Sequence, residues 1–365
     1  MFRSRPVVGL RDGELTTLSE SAAYTAQMPD DLRRPTLKDV AAIAGVSIKT
    51  ASRVINEERY VSGQAAARVH AAVRTLGYRR DHLASTLKRA NRSATIGLVV
   101  ADVANPFFSA FTRVVENAAL AEGHLLITVS SDDDPRRERQ IVDRLVQRRI
   151  DGLLIASARH DHQFLKREMD HGMAVVFYDR PPVRLAADAV LLEDEHGARL
   201  AVEHLLADGH RRIALLSDVP PDVYTARQRY AGYCAALRDA GIKVDERITR
   251  FGLHNPVQTQ ETVIELLGRR APPTAFFATN NRTAVGAAEA LADRPEVGLV
   301  GVDDFELASA LRRPITVIAY DTDEMARHAA EMLFSRLAGN RSKPERRWIA
   351  PRLLIRGSAD RPASV

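Results

Sequence analysis

An all-α helix-turn-helix head followed by an α/β body of two lobes, built on parallel sheets, is the fold class this sequence predicts. Three observations carry it. A basic stretch from residue 35 holds three short runs with helical spacing, each preceded by a cap residue. From residue 94 onward, apolar strand-like runs alternate with amphipathic helices, the pattern of parallel sheets covered on both faces. These repeats are too many for one compact sheet and suit two lobes; 365 residues in all allow two or three domains.

Residues 1–34 are rich in Ser, Thr and charge without sustained periodicity, so a disordered extension is expected. Met28 lies just before the ordered part and is a candidate start. Thr36 is a plausible N-cap for a first helix to Ala44, with Val40, Ala41 and Ala44 on one face. Gly45 permits a sharp turn. Ser47 can cap a second helix to Ile55 that aligns Ala51, Val54 and Ile55, and Ser62 a third that aligns Val69, Val73 and Leu76 and ends at Gly77. Two short helices joined by a glycine turn and braced by a third make a helix-turn-helix. A fourth short helix is expected over 81–89, capped by Asp81, with a polar link to Ser93. Strands are expected at 96–100, 125–129, 152–155, 174–177, 189–192, 213–216, 275–278, 297–300 and 316–319. Helices are expected between most of them, among them 106–122, 196–208, 225–240, 256–267, 283–292 and 323–338. Gly123, Gly172, Gly209 and Gly241 stand where helices should end.

Apolar residues make up 45% and charged residues 27%, ordinary for a chain with real cores. No apolar run reaches membrane-spanning length, and Asp12, Glu14 and Glu20 interrupt the stretch where a signal peptide would need its apolar segment. A cytoplasmic location without membrane attachment is therefore expected. Cys234 is the only cysteine, which excludes an internal disulfide and a Cys-based zinc site. The net charge is +5, and its distribution says more. Residues 35–92 carry eleven Lys/Arg against four Asp/Glu, while 1–34 balance five against five. One short segment thus holds the basic excess, either as a solvated surface or as a nucleic-acid-binding module on a near-neutral body.

The stretch 36–56, TLKDVAAIAGVSIKTASRVIN, resembles the head of the LacI/GalR family of repressors. Further matches follow in order: Gly77-Tyr78, Ala84-Ser-Thr-Leu-Lys88, Asn105-Pro-Phe-Phe108, Asp151-Gly-Leu-Leu154, Tyr178-Asp-Arg180, Gly209-His210, Arg229 with Gly232, Thr279-Asn280 and Gly301-Val-Asp-Asp304. The ordered set spans residues 35 to 358 and is highly specific. It implies a helix-turn-helix DNA-binding domain at 35–80, a hinge helix and linker at 81–93, and a periplasmic-binding-protein-like body at 94–358. In that body the N-lobe takes about 94–192 and 322–345, and the C-lobe about 193–320 and 346–358. It also implies a homodimer on double-stranded palindromic operator DNA and a small-molecule effector, a sugar or sugar derivative, with no cofactor and no metal. Dimerisation also follows from geometry, since one head reads only a half-site. No heptad follows Pro344, so a tetramerising helix is not expected.

A recognition helix lies in the major groove with its N-terminal residues at base edges. Ile48 and Lys49 occupy that turn, with Arg53 one turn on. Lys and Arg suit the acceptors of guanine, and Ile48 suits a thymine methyl; the resemblance gives Arg53 the base-reading role. Thr36, Ser47, Thr50, Ser52 and Asn56 are expected at phosphates, with capping or core packing as the alternative for the hydroxyls. In the family the leucine equivalent to Leu87 wedges into the minor groove, with Lys88 beside it; packing on the head or body is the alternative. Arg80-Asp81 stands where the family usually has Pro-Asn, leaving the hinge less rigid without DNA.

In a two-lobed α/β body the ligand lies beyond the carboxyl ends of the strands. Asp179, Asn280 and Asp303 end strands there, and Arg229 lies on the following helix of another. Two carboxylates, an amide and a guanidinium supply what a polyol needs. The resemblance assigns these four to effector hydroxyls, with Asn105, Phe107 and Phe108 at the mouth, His254 where relatives carry a stacking aromatic, and Tyr320 and Thr322 on the last crossover. Simpler readings remain for each: a surface turn at Asp179-Arg180, a helix cap at Asn280, a loop end at Asp303-Asp304 and helix core at the two phenylalanines. Asn281 in place of the usual Asp, and Val302 in place of a common aromatic, leave the ligand's identity open. Two other classes compete. An enzyme would use Asp179 and Asp303 as an acid/base pair, yet no nucleophile elbow, phosphate loop or dinucleotide fingerprint is present. Glu193 to His196 are consecutive, so they start a helix more readily than they hold a metal. A sugar-transport binding protein shares the two lobes but has no basic head.

Overall fold

The computed structural model describes residues 35–56, 58, 61–78 and 93–360, in two compact units, 1–89 and 90–365. The expected N-terminal extension and the expected 81–89 helix, with Leu87 and Lys88, lie outside the described residues.

The head consists of α1 (Leu37–Ala44), α2 (Ile48–Ile55) and α3 (Gly63–Leu76). Thr36 and Asp39 form a reciprocal capping box at the start of α1. Gly45, at φ 61°, closes α1 in a left-handed turn that a β-carbon would strain. Ser47 and Ser62 cap α2 and α3. Helices this short do not persist alone in water. They are held by a common core of Val40, Ala41, Ala44, Ala51, Val54, Val69 and Ala72, with Ile55, Val73, Leu76 and Tyr78 packed round it.

The body contains two six-stranded sheets. The first has β1 (Thr95–Val100), β2 (Leu125–Ser130), β3 (Gly152–Ile155), β4 (Ala174–Tyr178), β5 (Asp188–Leu192) and β11 (Arg346–Ile349), in the order β11-β5-β4-β3-β1-β2 and parallel throughout. The second has β6 (Ile213–Leu216), β7 (Thr249–Arg250), β8 (Ala275–Ala278), β9 (Gly298–Val302), β10 (Thr316–Ala319) and β12 (Arg352–Leu354), in the order β12-β10-β9-β8-β6-β7. Only β12 runs antiparallel, against β10. Central strands such as β3, β4, β8 and β9 are buried along their whole length, as expected of strands covered on both faces. The covering helices are α4 (Pro106–Ala121), α5 (Pro135–Gln147), α6 (Lys166–Asp170), α7 (Asp194–Ala207), α8 (Tyr224–Asp239), α9 (Pro256–Leu267), α10 (Asn281–Ala290), α11 (Glu306–Ala310) and α12 (Thr322–Leu337). Gly123, Gly172, Gly209 and Gly241 follow helix ends at positive φ, as their spacing implied.

The chain crosses between sheets three times: after β5, after β10, and between β11 and β12. The last crossing corrects a boundary. The sequence placed 346–358 in the second lobe, but Arg346–Ile349 joins the first sheet beside β5. Asp188 explains the capture. It accepts two bonds from Arg336, at 2.6 and 2.8 Å, and one from the Glu345 backbone N–H at 2.9 Å, drawing the strand onto the sheet edge. One glycine sets a helix crossing that matters below. A β-carbon on Gly232 of α8 would lie 2.2 Å from the Glu195 carbonyl oxygen of α7. Only a bare α-carbon lets these helices approach so closely.

Candidate functional site

In each sheet the strand order reverses where the chain leaves β1 and β6, and a crevice opens beyond the carboxyl ends at such a switch point. The two crevices share one cavity of about 70 Å³. Its wall includes Asn105, Phe107, Phe108, Asp179, Arg229, Asn280 and Asp303, seven of the residues singled out from sequence. It also includes Asp102, Asp133, Arg180, Asp218, Thr225 and Arg282, which were not given a role. Asp133 and Asp218 lie in short runs that follow strands, Ser131-Asp-Asp-Asp134 and Ser217-Asp218, and that position was the available signal.

Three expected residues are elsewhere. His254 is exposed in the loop before α9, where its backbone N–H donates to Gln258 Oε1 at 3.1 Å. Gly252, at φ 76°, and the Asn255 cap of α9 fix that loop. Tyr320 is buried outside the wall and donates its hydroxyl to the Glu193 carbonyl at 3.3 Å. Thr322 begins α12.

The wall is organised by ion pairs. Arg229 Nε donates to Asp194 Oδ1 at 2.7 Å and its Nη1 to the Thr279 carbonyl at 2.5 Å. Asp194 opens α7, as the helix-start reading of Glu193 to His196 required, but its carboxylate is turned wholly inward. Arg180 Nη1 donates to Asp133 Oδ1 at 2.5 Å, and its Nε lies 3.4 Å from Asp179 Oδ2. Two contacts beside the cavity span the lobes, Arg282 with Asp102 and Asn281 Nδ2 donating to Asn105 Oδ1 at 2.8 Å, and a third, exposed one sets His160 3.5 Å from Asp222. Asn105 Oδ1 also accepts from the Phe107 N–H and so caps α4. Asn280 both caps α10, accepting from the Thr283 N–H at 2.9 Å, and lines the cavity. Phe107 and Phe108 meet edge to face at 5.1 Å between centroids, and Phe108 leans on Tyr178.

Asp133, Asp179 and Asp303 have φ of 55°, 64° and 69°. Aspartate tolerates this left-handed region better than most residues, and its concentration round one cavity is the mark of a strained functional site. Burial raises the Asp179, Asp218 and Asp303 carboxyls, Asp303 to about 6, against the pull of nearby arginines. Burial also takes Asp194 to about 7, with Arg229 opposing. For Arg229 burial works against the charge, but Asp194, Asp303 and Asp179 outweigh it and hold the guanidinium above its ordinary value. Among the described residues no group of three His, Cys, Asp or Glu side chains is placed to hold a metal.

On the head, α2 buries Ala51 and Val54 and turns Ile48, Lys49 and Arg53 outward. Ile48 is 50% exposed, so its side chain is free to meet a partner. Ser47 accepts from the Thr50 N–H at 3.1 Å and meets Thr50 Oγ1 at 2.9 Å. Ser52 Oγ accepts from Asn56 Nδ2 at 3.4 Å, and Thr36 is exposed in its capping box. Arg53 lies 3.7 Å from Glu58 in an exposed pair, too weakly held to resist a stronger anion.

A capped three-helix head and a two-lobed body with a polar interlobe cavity define a ligand-responsive DNA-binding protein. Comparison with known proteins agrees. Residues 36–81 match the bacterial regulatory proteins of the lacI family, and 202–359 match the periplasmic binding protein-like domain. The chain is 34% identical to the Ribose operon repressor of Escherichia coli (strain K12) over 89% of its own length and 99% of that protein. It is 33% identical to the HTH-type transcriptional regulator GalR of the same strain, over 90% and 96%. Among solved structures, the lac repressor dimer bound to operator and the anti-inducer ONPF superposes with a TM-score of 0.77 at 26% identity, over 90% of this chain and all of that one. The chain belongs to the lacI family of bacterial regulatory proteins. It is a DNA-binding transcriptional regulator controlled by a small effector, and not an enzyme.

Proposed function

We propose that the protein is a homodimeric, cytoplasmic and nucleoid-associated repressor of a palindromic operator, and that its effector is a monosaccharide, with pentoses the first class to test. The observation that carries the effector is the cavity wall. Asn105, Asp179, Arg180, Arg229, Asn280 and Asp303 present forked donors and acceptors from both lobes, and Phe107 and Phe108 supply a flat apolar face. That combination matches a sugar ring, which has hydroxyls round its edge and C–H bonds on its faces. The name of the ribose operon repressor puts D-ribose first among candidates.

At the operator, Arg53 and Lys49 read guanine edges and Ile48 a thymine methyl, while Thr36, Ser47, Thr50, Ser52 and Asn56 hold phosphates. Leu87 wedges into the minor groove with Lys88 beside it, within a hinge segment at 81–93. The experiment has two arms on the full chain. A thermal-shift and calorimetric screen against pentoses and hexoses should find a binder that stabilises the body by about 2.7 kcal/mol at a hundred times its Kd. Operator selection from random DNA should return a palindrome whose affinity that sugar changes. No preference for any palindrome over bulk DNA at physiological salt would defeat the first half. A Kd unchanged by Arg229→Ala would defeat the second.

A further inference from the structure

Fixed charge on the cavity wall is out of balance. Arg229 is matched by Asp194, Arg180 by Asp133, and Arg282 by Asp102. Those three pairs use every guanidinium on the wall. Asp179 then shares Arg180 at 3.4 Å, while Asp218 and Asp303 have no ion-pair partner of their own among the described residues. Asp133 follows β2 in the first lobe and Asp218 follows β6 in the second, so carboxylates bracket the cavity from both sides. They lie close enough for the charge on Asp133 to raise the Asp218 carboxyl further, beyond what burial does.

A second observation points to an occupant. Arg180 Nε is a buried donor on the wall with no hydrogen-bond partner, and Asn281 Oδ1 and Asp194 Oδ2 are buried acceptors without one. Buried polar atoms are rarely left unpaired, and the arginine atom calls for an oxygen acceptor. Hydroxyl oxygens and phosphate oxygens both qualify by geometry, so charge decides between them. A phosphate or carboxylate would enter a buried space beside Asp218 and Asp303, which no guanidinium pairs, where like-charge repulsion is weakly screened. An ammonium would face Arg180 and Arg229. A neutral hydroxyl meets neither penalty and can donate to Asp218 and Asp303 while accepting from Arg180.

We propose that Asp133 and Asp218 are specificity-determining residues that restrict the site to uncharged sugars and exclude their phosphorylated and carboxylated derivatives. The regulator then senses the free sugar, and a phosphoryl-transfer reaction that converts this sugar to its phosphoester removes the signal. This rests on the sugar reading of the cavity.

Isothermal titration of the full-length protein tests it, with free pentoses and hexoses, D-ribose 5-phosphate and D-ribonate as probes. The parent should bind one free sugar at least a hundredfold more tightly than either anion. In the double variant Asp133→Asn/Asp218→Asn the gap should narrow at least tenfold, through a gain by the phosphate, because Arg180 is released as the repulsion falls. Asp218→Asn alone breaks no ion pair and should narrow the gap at least threefold, so it carries the test if the double variant does not fold. Parent protein that binds a free sugar and the phosphate equally, or an unchanged gap in both variants, overturns the charge filter and leaves the sugar reading intact. A panel in which no free sugar binds overturns both.

Discussion

Gly232 offers a test in which stability and ligand binding should fail together. An alanine there ordinarily gains roughly 0.5–1 kcal/mol by relieving a mid-helix glycine. Here the added carbon would sit 2.2 Å from the Glu195 carbonyl oxygen and 2.9 Å from the Ala198 Cβ. One of these contacts is backbone, so no rotamer change relieves it. The helices must separate by about 1 Å to reach ordinary contact, and overpacking of this kind costs about 1–3 kcal/mol. The same displacement stretches the 2.7 Å bond from Arg229, one turn earlier on α8, to Asp194, one residue before Glu195. Breaking a buried pair outright costs about 3–5 kcal/mol, and a partial stretch takes a fraction of that. Gly232→Ala should therefore destabilise the body by about 2 kcal/mol net of the helix gain and weaken effector binding at least tenfold. Gly268→Ala is the control: its β-carbon meets nothing nearer than 3.6 Å, so it should fall within about 0.5 kcal/mol of the parent. Urea denaturation gives the stability difference and calorimetry the affinity. A Gly232→Ala protein as stable as the control, with the parent's affinity, would refute the argument that this crossing positions Arg229.

Three further outcomes are expected. Arg53→Ala should cost about 1–3 kcal/mol of operator affinity and relax one base preference; equal loss on every sequence in a gel-shift panel would contradict base reading. Stability of the body should rise as pH falls from 8 to 6.5, because Asp194 near 7 and Asp303 near 6 keep protons that the unfolded chain, with carboxyls near 3.8, has released. That contribution is complete below the unfolded value and is lost as pH climbs through the folded ones; Asp194→Asn should flatten the slope. Below pH 6.5 His162 opposes the trend, since burial lowers it from 6.5 to about 4 and the unfolded chain takes that proton first. Arg282→Ala should weaken effector binding no more than about fivefold, since its bridge to Asp102 is a third exposed and such pairs contribute about 0–1 kcal/mol; a hundredfold loss by calorimetry would show that the bridge controls closure.

The sequence was most legible where local chemistry decides the outcome. Thr36, Ser47 and Ser62 cap helices because their hydroxyls satisfy orphan N–H groups nearby, and no tertiary contact overrides that. Central strands read clearly because both faces are buried. β11 did not, because it is an edge strand, Arg-Arg-Trp-Ile, that shows charge to solvent and joins its sheet through Asp188. Asn280 and Asp303 could be found at strand ends; Asp133 and Asp218 follow strand ends too, but their pairing across the lobes is a tertiary fact. Proximity over 85 positions leaves no local pattern. His254 failed for the converse reason: a plausible position in the chain order is overruled by the conformation of its own loop.

The Asn281–Asn105 and Arg282–Asp102 contacts join the lobes around a cavity of about 70 Å³. A ligand shifts this equilibrium only by its difference in affinity between the open and closed arrangements. A ring that fits the fully closed cavity poorly and a slightly wider one well would bias the body away from the observed arrangement. If that arrangement is the one that grips DNA, such a ligand is an inducer, and reciprocity requires operator DNA to weaken its binding by the same factor, typically 5–150-fold. Measuring effector Kd with and without saturating operator therefore fixes the sign without trapping either state: weaker binding on DNA means induction, tighter binding means corepression. Equal affinities would mean that the cavity and the operator surface are not coupled at all.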